Sequence, residues 1–285
     1  MKQRPVILIG AARSGTKFLR DVIAQDPGFS SVPYDVNYIW RMGNERLAHD
    51  VLKPDSVTTS VRNKIRETLF KLANVSDATE ERLIEKTVSN TLRVPFIEQV
   101  FPDALYVHLV RDGRAVSESA LRLWQAPPDK GGLMRKLKDL PLSQYGYLFW
   151  FALNYVKGLF KGRSGGAVWG PRYDGIMQDI ESTSLLNVVA RQWKHSVALA
   201  SNDLAKVDAE RVFTIRFEDL ISDPKKVKAL VEFIGAKNES ALIDKLNSSF
   251  DRSNLEKWRD KMSEQDVKLV ESEIFNELKR HGYKV

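Results

Sequence analysis

Val6-Ile7-Leu8-Ile9 runs directly into Gly10-Ala11-Ala12-Arg13-Ser14-Gly15-Thr16-Lys17, and this junction constrains the chain more than any other segment. A short apolar run ended by glycine reads as a buried parallel strand. Beyond it, Phe18, Leu19, Val22 and Ile23 share one side of a helix predicted over Thr16 to Ala24, stopped by Asp26-Pro27-Gly28. A strand that turns straight into a helix exposes the helix's first N–H groups at the positive end of its dipole, so the loop suits an anion. Gly10 and Gly15 allow a tight turn and close backbone approach. Ser14 and Thr16 add hydroxyl donors, and Arg13 adds a fixed cation. A nucleoside triphosphatase would instead carry G-x-x-x-x-G-K-[ST]. Here Thr16 follows Gly15, and Lys17 comes one place late. One residue turns a helical side chain by about 100°, so Lys17 does not simply replace the usual lysine.

The rest of the chain alternates strand and helix patterns. Val61, Ile65, Leu69 and Leu72 predict a helix over Val57 to Leu72. Arg82 to Lys86 reads as a strand, followed by a helix around Arg93 to Val100. After the turn at Phe101-Pro102-Asp103, Leu105 to Val110 is the clearest strand, and Gly113 to Leu123 follows as a helix. Leu185 to Leu204 is a long amphipathic helix, and Val212 to Arg216 a further strand. Pro224 to Ile234 is a helix opened by proline, whose missing N–H costs nothing there. Ser263 to His281 closes the chain as a helix. This alternation predicts an α/β fold, a central and mostly parallel sheet flanked by helices. We expect one domain over residues 1–285. Residues 125–183, with Pro127-Pro128, Gly131-Gly132 and Gly165-Gly166, break the rhythm and read as an inserted cap or acceptor-binding lobe.

A second motif joins the anion loop. Leu105 to Val110 leads into Arg111-Asp112-Gly113-Arg114-Ala115-Val116-Ser117-Glu118-Ser119. An arginine at a strand's carboxyl end can offer a planar fork of donors to phosphate, and a serine hydroxyl can add a further one. With the (R/K)-S-G-T loop in the same order, this pair resembles the P-loop-like sulfotransferase superfamily. Arg216-Phe217-Glu218-Asp219-Leu220 followed by Asp223-Pro224 resembles its R-Y-E-D-L…D-P segment. Ser253-Asn254-Leu255-Glu256-Lys257-Trp258-Arg259 resembles the C-terminal segment that closes over the nucleotide.

The resemblance implies a sulfotransferase that takes 3′-phosphoadenosine 5′-phosphosulfate (PAPS) as donor, releases PAP, and sulfates a hydroxyl. Arg13, Ser14, Gly15, Thr16 and Lys17 would hold the 5′-phosphosulfate. Arg111 and Ser119 would hold the 3′-phosphate, with Lys257 and Trp258 closing over the nucleotide and Arg114 adding positive field. Arg13, in place of lysine, leans toward the carbohydrate and tyrosylprotein branches, so a saccharide is the expected acceptor. Lys86 aligns with a lysine beside the bridging oxygen, although a strand-end surface lysine fits the same pattern. The histidine two places after that lysine in cytosolic relatives is Val88 here. Carbohydrate and tyrosylprotein relatives use a carboxylate in the loop after the first helix, so the resemblance implies Asp35, in the loop Ser30 to Asn37, as the base, at a position that also suits a plain turn former. Glu45 and Asp50 are less well placed. A nucleotide-dependent kinase and a catalytically silent PAP-binding module are the alternatives.

Composition sets outer limits. Of 285 residues, 43% are hydrophobic and 28% charged, which is ordinary for a chain with a substantial core. There is no cysteine, so disulfides and thiolate metal sites are excluded. The four histidines are scattered, and no metal is expected. His108 reads as strand packing, and His49, His195 and His281 as solvated. The net charge of +7 is not gathered into a basic run, and no basic stripe with interleaved aromatics suggests nucleic acid. Val6 to Ile9 is too short for a membrane span or signal core, so a cytoplasmic protein is expected. Trp169-Gly170-Pro171-Arg172-Tyr173 offers aromatic and arginine side chains that suit a sugar or an anionic acceptor.

Overall fold

Strand β1 (Val6–Ile9) is buried along its whole length and lies at the centre of the sheet. The computed structural model describes residues 4–76, 80–126, 168–248 and 255–285. Most of the lobe expected over 125–183 thus lies outside the described residues. The other strands are β2 (Phe29–Ser31), β3 (Arg82–Lys86), β4 (Leu105–Val110) and β5 (Val212–Arg216). They pair in the order β2-β3-β1-β4-β5, every pair parallel. The α/β architecture with a parallel sheet flanked by helices is therefore as expected. Four strands coincide with the sequence reading. The edge strand β2 does not, because Phe-Ser-Ser is too short and polar to show a period; its pairing with Arg82, Leu83 and Ile84 makes it a strand.

Alternation along β1 divides the core. Ile7 and Ile9 join Tyr106 in one apolar cluster, with Phe96 and Ile97 of α4 (Val94–Val100) and Ile65 and Leu69 of α3 (Thr59–Leu72). Val6 and Leu8 join Val107 and Leu109 in another, with Leu19 and Ile23 of α1 (Thr16–Ile23) and Val227 and Leu230. Both faces of the sheet are covered, which is why the central strands are continuous apolar runs. A third cluster packs α5 (Gly113–Gln125) against α7 (Leu185–Leu204) and α12 (Glu264–Arg280). The short α2 (Asn37–Trp40) follows β2, and α6 (Ile176–Ser182) precedes α7. After β5 come α8 (Phe217–Ser222), α9 (Pro224–Ile234), α10 (Glu239–Ser248) and α11 (Lys257–Lys261).

This order places the site. From β1 the chain passes to β2 and β3 on one side, and from β4 to β5 on the other. The carboxyl ends of β1 and β4 lie side by side where the direction reverses, the position at which open parallel sheets bind ligands. Three loops converge there: residues 10–15 after β1, 87–88 after β3, and 111–112 after β4. Among the described residues, no helix is long and apolar enough to cross a membrane.

Candidate functional site

The loop after β1 is held in an unusual backbone conformation. Arg13 has φ 73° and Gly15 φ 90°. The left-handed region costs a non-glycine residue about 1–2 kcal/mol, so Arg13 needs an external hold. Arg111 supplies it: its Nη1 donates to the Arg13 carbonyl at 3.1 Å. A Cβ at Gly15 would lie 2.4 Å from the Phe217 ring, and one at Gly10 2.7 Å from the Leu109 carbonyl oxygen. Gly15→Ala therefore combines a left-handed backbone with a clash. Its expected effect is a loss of about 1–3 kcal/mol in urea unfolding, together with weaker anion binding. A variant as stable as the wild type would show that the loop relaxes more easily than this packing implies.

The two motifs meet at Arg13. Its Nε donates to Ser119 Oγ at 2.9 Å, across 106 residues of sequence. Asp112 caps α5 through the Arg114 N–H, and the Trp193 indole donates to the Arg111 carbonyl at 3.1 Å, fixing the strand-to-helix turn. The Arg111 guanidinium lies over Phe217, 4.6 Å from the ring centre. Burial lowers the pKa of both guanidiniums. Arg122 lowers Arg13 further, and Arg13 lowers Arg111 further, opposed by Glu218. Ser14 is fully buried, and its hydroxyl has no hydrogen-bond partner among the described residues. Such orphaned groups are uncommon. An exposed and a half-buried cation beside an unsatisfied buried hydroxyl fit an anionic ligand.

The R-F-E-D-L segment supports this corner. Phe217 packs against Gly15 and Arg111. Glu218 accepts from the Asp112 N–H at 3.1 Å and from the Tyr283 hydroxyl at 2.7 Å. Asp219 bridges Arg216 and Lys226; the bonds from Arg216 and Lys226 hold its carboxyl down at about 2.

The fold brings Asp35 and Lys86, two separate candidates in the sequence, next to each other. Lys86 Nζ lies 3.6 Å from Asp35 Oδ2, and that oxygen also accepts from the Val88 N–H at 3.0 Å. Asp50 is not a rival base. It is fully buried and receives Arg41, Asn37, Ser89 and Arg172. Arg172 foremost holds its carboxyl far below the ordinary range despite burial.

Other expected residues have partners of their own. Lys17 is 75% exposed and pairs with Asp21 at 2.8 Å, one turn further along α1. Its ammonium thus faces Asp21 and solvent. Arg114 pairs with Asp112 and Glu271, which neutralises the field expected from it. Trp258 is buried, with Arg114 and Arg259 over its ring at 4.6 Å each, so it docks α11 on α5. Lys257 is exposed on the same helix, while residues 253 and 254 lie outside the described part. Arg172 is committed to Asp50, and Tyr173 donates to Asp179 and stacks on His195 at 4.3 Å. The segment Trp169–Tyr173 is therefore mainly a pinned strap, held also by Gln192 on the carbonyls of Trp169 and Pro171. His108 is buried, as its strand position implied, and burial lowers it to about 3. His281, expected to be solvated, is half-buried and lowered by burial to about 4. Among the described residues, no group of acidic and histidine side chains is arranged to hold a metal ion.

Glu85, Asn90 and Arg93 form a buried polar network that sequence reasoning passed over. Thr87 Oγ1 donates to Glu85 Oε1 at 2.5 Å, and Asn90 donates to Oε2 at 2.8 Å. Arg93 Nε donates to the Asn90 side-chain oxygen at 2.9 Å. The available signal was polar residues at positions that the strand and helix patterns bury. Burial raises the Glu85 carboxyl to about 7. Its proton therefore stabilises the fold fully below the unfolded pKa near 4.5, and that contribution is lost as pH rises to about 7. The lowered His108 and His281 act in the opposite direction, so the informative quantity is a difference. Wild-type stability minus that of Glu85→Gln is expected to fall by about 3 kcal/mol between pH 4.5 and 7.5 in urea titrations. A difference independent of pH would mean that Glu85 is ionised throughout.

Residues 5–132, which contain both motifs, match the model of the Sulfotransferase family. The match spans a little under half of the chain. No curated protein sequence matches it. Among solved structures, the sulfotransferase domain from the curacin biosynthetic pathway superposes with TM-score 0.54 at 15% identity, covering 99% of both chains. The sulfotransferase domain of the Synechococcus PCC 7002 olefin synthase gives 0.50 at 16% identity, over 95% of each. Sulfotransferase STF9 from Mycobacterium avium gives 0.51 at 13%, over 99% of this chain and 78% of that one. At such identities the structures establish a shared sulfotransferase fold.

Proposed function

We propose that this chain is a sulfotransferase that moves the sulfuryl group of PAPS onto a hydroxyl, with a saccharide as the acceptor class. The observation that carries the donor assignment is the convergence of Arg13, Ser119 and Arg111 from two motifs about a hundred residues apart, beside the buried Ser14 hydroxyl. The loop's N–H groups, with Arg13, Ser14 and Thr16, would hold the 5′-phosphosulfate. Arg111 and Ser119 would hold the 3′-phosphate. The saccharide rests on Arg13 in place of lysine and on the absence of a histidine at Val88.

Chemically, the acceptor oxygen forms a bond to sulfur while the bond from sulfur to the bridging oxygen breaks. Asp35 takes the acceptor's proton, and the 5′-phosphate leaves as PAP. Sulfuryl transfer by analogy with phosphoryl transfer is a loose in-line displacement, catalysed by positioning and charge stabilisation. Lys86, at the end of β3, would neutralise charge on the bridging oxygen, and the loop's donors would stabilise the leaving phosphate.

The test is transfer of radiolabelled sulfate from PAPS to a panel of saccharides, phenols and aliphatic alcohols, without added metal. Labelled saccharide is the expected product. Label on another class alone would move the acceptor assignment. PAP binding with no transfer anywhere would indicate a silent nucleotide-binding module, and magnesium-dependent ATP turnover would point to a kinase.

A further inference from the structure

We propose that Thr87 is a positioning residue whose hydroxyl holds Asp35 against Lys86. This inference rests on reading Asp35 as the base. Lys86, Thr87 and Val88 are consecutive at the carboxyl end of β3, and each touches the Asp35 loop differently. Lys86 Nζ faces Asp35 Oδ2 at 3.6 Å, and the Val88 N–H donates to the same oxygen at 3.0 Å. Thr87 Oγ1 accepts from the Val36 N–H at 3.2 Å, one residue along from the carboxylate. The hydroxyl therefore fixes the backbone that carries Asp35, while its neighbours receive the side chain.

The hydroxyl is itself fixed. It donates to Glu85 Oε1 at 2.5 Å, and Glu85 Oε2 accepts from Asn90 Nδ2 at 2.8 Å. Asn90 Oδ1 accepts from Arg93 Nε at 2.9 Å, and Arg93 Nη2 donates to Asn37 Oδ1 at 2.6 Å. Asn37 follows Val36, whose N–H returns to Thr87, so the hydrogen bonds close into a ring. Val36, Glu85, Thr87, Asn90 and Arg93 are all 0% exposed. In such a setting, a group that accepts one hydrogen bond and donates another is not replaced by water. Threonine and serine meet this requirement, whereas valine has the shape of threonine without the hydroxyl. Asp50 anchors the far side by accepting from Asn37 Nδ2 at 3.1 Å. The ring joins the two loops whose separation sets the distance from Asp35 to Lys86, and a misplacement of about 1 Å in a catalytic group costs roughly 100-fold in rate.

The experiment compares the wild type with Thr87→Ser, Thr87→Cys, Thr87→Val and Asp35→Asn in the full chain. Water serves as the probe acceptor, read as sulfate released from PAPS, alongside KM for PAPS and the Kd of PAP. Thr87→Val is expected to lower kcat by about 10- to 100-fold, with KM and Kd within about twofold of wild type. Thr87→Ser should restore turnover, and Thr87→Cys, with a weak donor and acceptor, should fall between them even if the valine variant folds poorly. Unchanged turnover in Thr87→Val and Thr87→Cys while Asp35→Asn is impaired overturns the inference and leaves the base intact. So does a loss in all Thr87 variants that serine fails to restore, or one shared equally by PAP binding. If Asp35→Asn keeps wild-type turnover, the base reading fails instead. A crystal structure of Thr87→Val or Thr87→Cys then decides: a carboxylate still seated on Lys86 and the Val88 N–H overturns the inference, and a displaced one supports it.

Discussion

Arg111→Ala is expected to weaken PAP binding by at least about 100-fold in a calorimetric titration without magnesium. Truncating one partner of a desolvated charge pair costs about 2–5 kcal/mol. Arg111 has two parts to play at this corner. Its Nη1 holds the left-handed Arg13 carbonyl, and its guanidinium lies over Phe217, where it can fork onto a phosphate. Arg111→Lys keeps the charge but loses the planar fork, so an intermediate loss of about 10-fold is expected. Both variants should retain the core, because β4 and the Asp112 cap of α5 do not use the guanidinium. Binding by well-folded Arg111→Ala within about threefold of wild type would place the 3′-phosphate elsewhere and remove the main support for the donor.

Asp35→Asn should leave PAP affinity unchanged and lower sulfate transfer by about 10²–10⁴-fold, the range for loss of a general base. Asparagine preserves the shape and still offers an oxygen to the Val88 N–H, while the charge facing Lys86 is lost. The effect should appear in kcat and not in KM for PAPS, because Asp35 lies on the β3 side of the site and Arg13 meets Ser119 on the β4 side. Transfer within about threefold of wild type would exclude Asp35 as the base. The acceptor would then lose its proton to solvent or to another group.

Much of the backbone around Arg13 and Arg111 was legible before any coordinates. A strand, a glycine-bounded loop and a helix are written in neighbouring residues, since period, turn chemistry and glycine freedom act over a few positions. The same holds for the strand that delivers Arg111, and β1, β3, β4 and β5 appear where expected. Asp35 and Lys86 were legible only as separate positions. Their meeting depends on β1 standing between β3 and β4 and on β2 joining the edge beside β3.

Long-range partners were not legible. Lys17 turned out to face Asp21 and solvent, because its place on α1 decides its direction. Trp258 and Arg114 satisfy one another, and Arg172 went to Asp50 rather than to a ligand. The ring through Thr87, Glu85, Asn90, Arg93 and Asn37 spans two loops about 50 residues apart, and no local pattern announces it. The sequence by itself determined the parallel α/β class and the two strand-loop-helix segments that carry Arg13 and Arg111, because backbone conformation answers to nearby residues. Only the tertiary structure decided which charged and polar side chains are spent on one another, because that depends on which strands and loops become neighbours.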